Sequence, residues 1–529
     1  MLHGARLTAI FFLFGLTINI SAQTLKPVPV QVQRTRDLGA AFAPVYLFEK
    51  TPAADVSAAR FAQGAQFLAL DENRLAELIA SRPTAISLSI PFNDETLSVD
   101  LIQTDIQSGD FSVSTSDAAT ESVSVRPGLH YRGVLRGANN SIAAISIFDN
   151  DVMGVVSDDH HGNLVLGKVQ RPDNQTAYML YAESELAMDN PFECNLIEEI
   201  NGRPNRAYSA TEQAETPRNI RVYLESDYQL FRNRGDVQST VNYLSGTFNI
   251  VSALYANEQI DLALSGIMVW VTPDVYTGLN SDAVLDRFRQ QRPGAKADLT
   301  QLIGLAGNSQ ESAAYLDVLC QPEYAAAYSS INVSYSNVPA YSWAAEVIAH
   351  EMGHNLGARH TQWCGWPGGA IDPCQLAERG CSPGRGTRSG STVMSYCPLI
   401  TSGINFSNGF GDLPGAIIRN ALNSAPCLTP TKTNVKTIDN RSTVVMPLES
   451  MQLTPNPANK QVNVQLNYDP QSQVRVALLD LVGRTLHTQT AARGDAAMNL
   501  DLSNLQKGIY LVQVFENDQL VATKRLIKN

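Results

Sequence analysis

Apolar and polar positions alternate along much of the first two hundred residues. Ala85-Ile-Ser-Leu-Ser-Ile90 and Ser141-Ile-Ala-Ala-Ile-Ser-Ile147 turn every second side chain to one face, the period of a strand. Turn residues separate such runs, so residues 24–200 read as a β-rich region. Residues 202–218 carry few apolar groups and read as a linker open to proteolysis. Beyond them the period changes. Residues 220–224 read as a strand, residues 237–256 space Val, Leu, Phe and Ile as a helix does, and residues 260–271 return to a strand. This alternation predicts an α/β region with a mixed sheet. A Thr-, Pro- and Asn-rich stretch over 429–442 reads as a second linker. Strand patterning then resumes in Val462-Asn-Val-Gln-Leu466, Val474-Arg-Val-Ala-Leu-Leu479 and Tyr510-Leu-Val-Gln-Val-Phe515, with a turn at Glu516-Asn517-Asp518.

One apolar run has neither period. Arg6 precedes Leu7-Thr-Ala-Ile-Phe-Phe-Leu-Phe-Gly-Leu16, and Ile20-Ser21-Ala22 follows it. A short basic start, an apolar core and a small residue at a cleavage site make a secretory signal peptide over residues 1–22. A membrane anchor is the other reading, but the run is too short and no second long apolar stretch follows. The chain is expected to be exported, with no transmembrane segment.

Composition narrows the field. The 529 residues suffice for about three or four domains. With 44% hydrophobic and 17% charged residues the chain is globular, and the net charge of −12 offers no basic field for a nucleic-acid backbone. Export permits disulfides. Of the seven cysteines, Cys320, Cys364, Cys374, Cys381, Cys397 and Cys427 fall in the α/β region, enough for three bridges but with 15 possible pairings; a zinc–thiolate site is the rival reading. Cys194 stands apart.

The densest chemistry lies in His350-Glu-Met-Gly-His354-Asn-Leu-Gly-Ala-Arg-His360, which holds three of the eight histidines. Ser342 is placed to cap a helix running into this stretch. On a helix His350 and His354 share a face, so two ring nitrogens can bind one Zn²⁺. Glu351 projects beside them, suited to hold a water and not the metal. Gly357 permits a left-handed backbone that ends the helix and brings His360 back as a third ligand. Three protein ligands leave one position open, the catalytic arrangement. By contrast, His160-His161 beside Asp158-Asp159 reads as an exposed turn.

His-Glu-x-x-His-x-x-Gly-x-x-His is the signature of the metzincin zinc endopeptidases, which carry a Met-turn downstream. Ser391-Thr-Val-Met394-Ser-Tyr396 lies where that turn should be, and the resemblance makes Met394 the apolar floor of the site. Within the metzincins the chain resembles the adamalysin/reprolysin group, in particular its secreted bacterial relatives. Asn355 is usual there, and His130-Tyr-Arg-Gly-Val-Leu-Arg-Gly137, Ser141-Ile-Ala-Ala-Ile-Ser-Ile147 and Gly154-Val-Val156 resemble that group's propeptide. Thr361 replaces the Asp that follows the third His, and Arg221 replaces a calcium-binding Glu of the snake-venom relatives, so calcium is left undetermined.

The resemblance extends to single residues. A Tyr two positions after the Met stabilises the oxyanion in the astacin and serralysin branches, and Tyr396 holds that offset; a packed Tyr with a satisfied hydroxyl is the other reading. The resemblance pairs Cys320 with Cys427 and leaves Cys364, Cys374, Cys381 and Cys397 to staple the loop over 361–391. Related propeptides use a cysteine switch, a thiolate at the open zinc position, and Cys194 is the candidate; a free thiol without a role is the alternative. Leu453-Thr-Pro-Asn-Pro457, Gly508-Ile-Tyr-Leu-Val-Gln-Val514 and Lys524-Arg-Leu-Ile-Lys528 resemble the C-terminal sorting domain of the Bacteroidetes type IX secretion system, a small β-sandwich; a carbohydrate-binding sandwich is the rival.

The implied layout is multidomain: a signal peptide at 1–22, a β-rich propeptide at 23–215, an α/β metzincin catalytic domain with a mixed sheet and an active-site helix at 216–430, a linker at 431–448, and a C-terminal β-sandwich at 449–529. The implied function is a secreted or surface-attached monomeric endopeptidase, made latent, with one catalytic Zn²⁺. Glu351 is its general base, its substrates are proteins or peptides, and the type IX machinery is its partner. Substrate is expected along an edge strand within residues 329–338. A zinc-bearing surface binding or adhesion protein without turnover is the alternative, and a toxin-like or self-processing enzyme with one narrow target is a third.

Overall fold

The computed structural model describes residues 26–428 and 451–529. Within these it leaves out 53–61, 63, 118–121, 139, 170–176, 187–192, 199–218, 292–295, 306–310, 332–337, 378–379, 386–389, 398–402, 467–469, 471–472, 480–484, 493, 495–496, 504 and 517–518. The signal peptide, both linkers and the Asn517-Asp518 turn lie outside the described residues.

The described residues up to 428 form one compact unit and those from 451 onward another. Two sheets organise the first unit. The larger has ten strands, all supplied by residues 43–182, and meanders through Ala85–Phe92, Glu95–Thr104, Leu129–Leu135, Ser141–Phe148, Asp151–Asp158, Gly162–Lys168 and Ala177–Ala182. Ser141–Phe148 is buried at every position, because one face of this sheet packs on its own apolar core and the other on the helices of the α/β region. That explains why its sequence is apolar almost throughout and alternates only weakly.

The second sheet has seven strands in the order Glu193–Ile197, Glu311–Tyr315, Ala326–Ser330, Leu299–Gly304, Asn219–Ser226, Asp261–Val269, Gln107–Thr115. Neighbours are parallel except Glu311–Tyr315 with Ala326–Ser330, so the sheet is mixed. Its five inner strands come from residues 219–330. Its two outermost strands come from the N-terminal region, one on each edge.

The helix Val237–Ala256 lies between the sheets. Asp236 caps it, accepting a hydrogen bond from the Ser239 amide at 2.7 Å, and the side chains from Val241 to Tyr255 are buried apart from Asn242. Polar ties fix the ten-stranded sheet to this helix: Arg132 donates to Asn249 Oδ1 at 3.1 Å and Ser252 Oγ at 2.8 Å, and Asn249 donates to the carbonyls of Tyr131 and Ile145. These bonds satisfy polar groups that burial would otherwise leave unpaired.

The helix Tyr341–Asn355 is buried along its whole length. It does not begin as the sequence suggested. Ala340 is the N-cap residue, and Ser342 lies inside the first turn with its hydroxyl donated to Glu183 Oε1 at 2.5 Å. Two positions past the N-cap, that hydroxyl lies within the helix and turns to the half-buried Glu183 carboxylate. The helix end follows the expectation. Gly357 has φ +92°, its amide bonds to the His354 carbonyl at 2.8 Å, and the Ala358 amide bonds to the Gly353 carbonyl at 2.9 Å. These are the two bonds of a Schellman turn, which a residue with a Cβ would strain.

In the second unit, Met451–Thr454, Gln461–Leu466 and Ala497–Asp501 form one sheet, and Thr485–Ala491, Val474–Leu479, Gly508–Glu516 and Gln519–Lys528 form another. Val462, Val464 and Leu466 alternate with outward residues and share one core with Val474, Val476, Val512 and Val514. Among the described residues no helix is long and apolar enough to cross a membrane.

Candidate active site

Helix periodicity and the Schellman turn bring three imidazoles together. His354 Nε2 lies 3.0 Å from His350 Nε2 and 3.0 Å from His360 Nε2. A tetrahedral ion bonded at 2.0–2.1 Å spaces its ligands by about 3.3 Å, close to this convergence. The ring orientations are set from behind. His350 Nδ1 lies 2.8 Å from the Val393 carbonyl, and His354 Nδ1 lies 2.8 Å from the Ala358 carbonyl. Each carbonyl holds the proton on Nδ1 and leaves the Nε2 lone pair for a cation. Burial, then the neighbouring imidazoles, pushes the pKa of His350 and His354 well below the ordinary range, favouring the neutral form that binds metal. The donor set therefore fits zinc.

Cys194 completes the group: its Sγ and the three histidine nitrogens all lie within 4.8 Å of one another. Its thiol donates to Glu351 Oε2 at 3.2 Å. Glu351 is fully buried, and its Oε1 has no hydrogen-bond partner among the described residues. Burial raises the Glu351 carboxyl well above the usual carboxylate range, partly offset by the Cys194 bond. Burial also raises the Cys194 thiol, and the adjacent Glu351 carboxyl adds to it.

Tyr396 faces the same point. Its hydroxyl accepts from the Cys194 amide and donates to the Cys194 carbonyl, both at 3.2 Å, and lies 3.5 Å from His360 Nε2. Met394 packs beneath the helix. A Cβ on Gly353 would come within 2.6 Å of the Met394 sulfur, so any larger residue there would have to displace the Met394 side chain. The segment carrying Met394 is tied to the third histidine, because the Thr361 amide bonds to the Met394 carbonyl at 3.0 Å and Trp366 Nε1 donates to the His360 carbonyl at 2.8 Å. Asn355 braces the other side, donating to the carbonyls of Tyr315 at 2.9 Å and Ala326 at 3.1 Å.

The expected location of the edge strand requires correction. Ser329 and Ser330 end Ala326–Ser330, an interior strand of the sheet that pairs with Leu299–Gly304 along its length and with Glu311–Tyr315 at Ala327 and Tyr328, and residues 332–337 lie outside the described residues. Glu311–Tyr315, placed outside it in antiparallel sense, is the edge of the inner five strands, and Glu193–Ile197 pairs with it in parallel, Cys194 opposite Ser312.

The cysteines pair as Cys320–Cys427, Cys364–Cys381 and Cys374–Cys397, leaving Cys194 free. All six are consumed in disulfides, which removes the zinc–thiolate alternative. Arg221 forms an ion pair with Asp110 of the strand Gln107–Thr115. His161 bonds Asp158 at 2.9 Å and Glu95 at 3.2 Å, in a turn where His160 is exposed. Sequence reasoning missed the anchor between the N-terminal region and the segment after the Met-turn. Ser157 donates to Asn405 Oδ1 at 2.7 Å, Asn163 donates to the Ile404 carbonyl at 3.0 Å, and the Phe406 amide bonds Asn163 Oδ1 at 2.9 Å. Isolated Ser and Asn residues carry no pattern that would announce such pairing.

Comparison with known proteins agrees with this geometry. Residues 216–407 match a reprolysin model described as Metallo-peptidase family M12, and residues 452–529 match a secretion system C-terminal sorting domain. Among solved structures, wild-type OgpA from Akkermansia muciniphila is 13% identical, covering 61% of this chain and 95% of its own, with a TM-score of 0.20. An immunoglobulin-like protein from Pseudomonas aeruginosa is 16% identical over 13% of this chain and 69% of its own, with a TM-score of 0.10. At these scores neither likeness bears on the fold or the activity. The two family matches do: the chain carries a reprolysin-like zinc metallopeptidase domain of family M12 and a type IX C-terminal sorting domain that marks it for export to the cell surface or medium.

Proposed function

We propose that this metallopeptidase is an endopeptidase made as a latent proenzyme. Residues 1–22 direct export, 23–215 form the propeptide, 216–430 the catalytic domain, and 431–448 a linker to a β-sandwich sorting domain at 449–529. One observation carries the reading. Cys194 meets the three imidazoles and Glu351 while its own strand lies along the edge Glu311–Tyr315. A substrate pairing with that edge competes for both the backbone groups and the metal position.

His350, His354 and His360 would hold one zinc ion, which when bound supplies a Lewis acid for the scissile carbonyl and acidifies a water. In the latent chain the Cys194 sulfur, grouped with the three histidine nitrogens, would be the fourth ligand. Once it leaves, Glu351 takes the proton of the attacking water and returns it to the leaving amine. The Tyr396 hydroxyl, once released from the Cys194 backbone, would donate to the developing oxyanion. Met394 fixes the helix from below.

The test is cleavage of casein and a peptide library by the processed, zinc-loaded protein. Glu351→Ala and a chelator each abolish cleavage, and residual activity in either contradicts the mechanism. Binding of peptides without any cleavage would favour the adhesion reading.

A further inference from the structure

Arg359 precedes the third histidine, and no step above uses it. It is 9% exposed, with its guanidinium 4.6 Å from the Trp363 ring centroid. A buried cation needs a counter-charge. Among the described residues that counter-charge is Glu198, in an ion pair with Arg359 Nη1. Glu198 follows the strand Glu193–Ile197, four residues beyond Cys194.

Strand alternation links these two contacts. Residues 194, 196 and 198 turn to one face and 195 and 197 to the other. Cys194 meets Glu351 and Glu198 meets Arg359 on the face of the active-site helix. On the opposite face Asn195 bonds Asp282 at 2.6 Å, and Ile197 packs against the apolar cluster containing Tyr315 and Val318. The segment is therefore seated by side-chain recognition as well as by its backbone.

We infer that Arg359 is a specificity-determining residue that selects an acidic side chain in the substrate. This rests on the reading that Glu193–Ile197 occupies the substrate cleft. When that strand departs, Glu198 departs with it, and Arg359 keeps its aromatic wall but loses its carboxylate. A substrate that pairs with Glu311–Tyr315 and carries Asp or Glu about four positions from the scissile bond restores the ion pair. A Gln or Lys there leaves a guanidinium unpaired. A substrate running in the direction of Glu193–Ile197 puts the acid on the C-terminal side of the cut, and one running oppositely puts it on the N-terminal side.

The experiment uses protein expressed as the full-length chain, then zinc-loaded and processed to its active form. Peptides carrying Glu, Gln or Lys at each of five positions on either side of one bond are compared by kcat/KM. Glu is preferred over Gln by about ten- to hundredfold at one position. Arg359→Gln brings that ratio near one, Arg359→Lys keeps part of it, and Arg359→Glu turns the preference to Lys. Zinc content and Tm of each variant separate lost recognition from lost folding. Cleavage with no position favouring Glu, or a preference that survives Arg359→Gln, overturns the inference. A processed, zinc-bearing protein that cleaves no peptide overturns the peptidase reading beneath it.

Discussion

Acid should loosen the N-terminal region through His130. This side chain is buried on the strand Leu129–Leu135, with Nδ1 2.9 Å from Ser146 Oγ and Nε2 buried without a partner. Burial, and then the charge of Arg132, lowers its pKa to about 3. An unfolded His titrates near about 6.5. Between those values only the unfolded chain binds the proton, so stability falls as the pH drops through the unfolded pKa and is lowest below the folded one. At about 1.36 kcal/mol per pH unit, a move from pH 7 to pH 5 removes about 2 kcal/mol. His130→Asn keeps a polar group for Ser146 and removes the titration. The assay is urea unfolding of the full chain carrying Glu351→Gln, which prevents self-cleavage, at pH 7 and pH 5. His161 acts in the opposite sense. Its burial is outweighed by bonds to Asp158 and Glu95, which raise its pKa, so its contribution is lost as the pH rises. Its effect cancels when the fall for the wild-type chain is compared with the fall for the variant. The wild-type chain should lose about 2 kcal/mol more than the variant. Equal losses would show that His130 is protonated in the folded chain and would refute the reasoning.

Three further outcomes follow from the site. Cys194→Ala, which removes the thiol facing Glu351, should raise peptide cleavage by the unprocessed chain well above background; an unchanged rate sinks the switch. Tyr396→Phe should lower kcat more than it raises KM in the processed enzyme, and identical kinetics would leave the hydroxyl a packing group. Gly353→Ala adds helix propensity but forces a Cβ toward the Met394 sulfur, so Tm and zinc retention should fall, by about 1–3 kcal/mol in stability. A Tm that rises would show that the Met394 side chain yields at no cost.

The helical half of the site was legible because its geometry is local. Spacing alone places His350 and His354 on one face, and one positive-φ glycine turns His360 back toward them. The long helix over 237–256 was equally plain, since twenty residues of one period leave little ambiguity. Ser342 was misread because capping rules weigh only the local amide, whereas Glu183 reaches it from 159 residues away. Met394, Tyr396 and Cys194 enter the site through tertiary contacts, and periodicity says nothing about such contacts. Only the resemblance to a known family pointed to them.

The edges of the central sheet were not legible, for a related reason. Gln107–Thr115 and Glu193–Ile197 lie in sequence beside strands that stay within the N-terminal region, yet each leaves it to pair with the α/β region. Pairing in a sheet is made by backbone groups that every residue carries, so sequence records the existence of a strand better than its neighbour. The consequence bears on the proposed latency. The inner sheet is closed at both edges by one covalent segment, and the same segment is bonded to residues 404–407 beyond the Met-turn. Glu193–Ile197 covers the catalytic edge but is only five residues long. Its hold on the site therefore draws on the Cys194 contacts, the Arg359–Glu198 pair and the anchoring of the rest of the N-terminal region, and not on strand pairing alone.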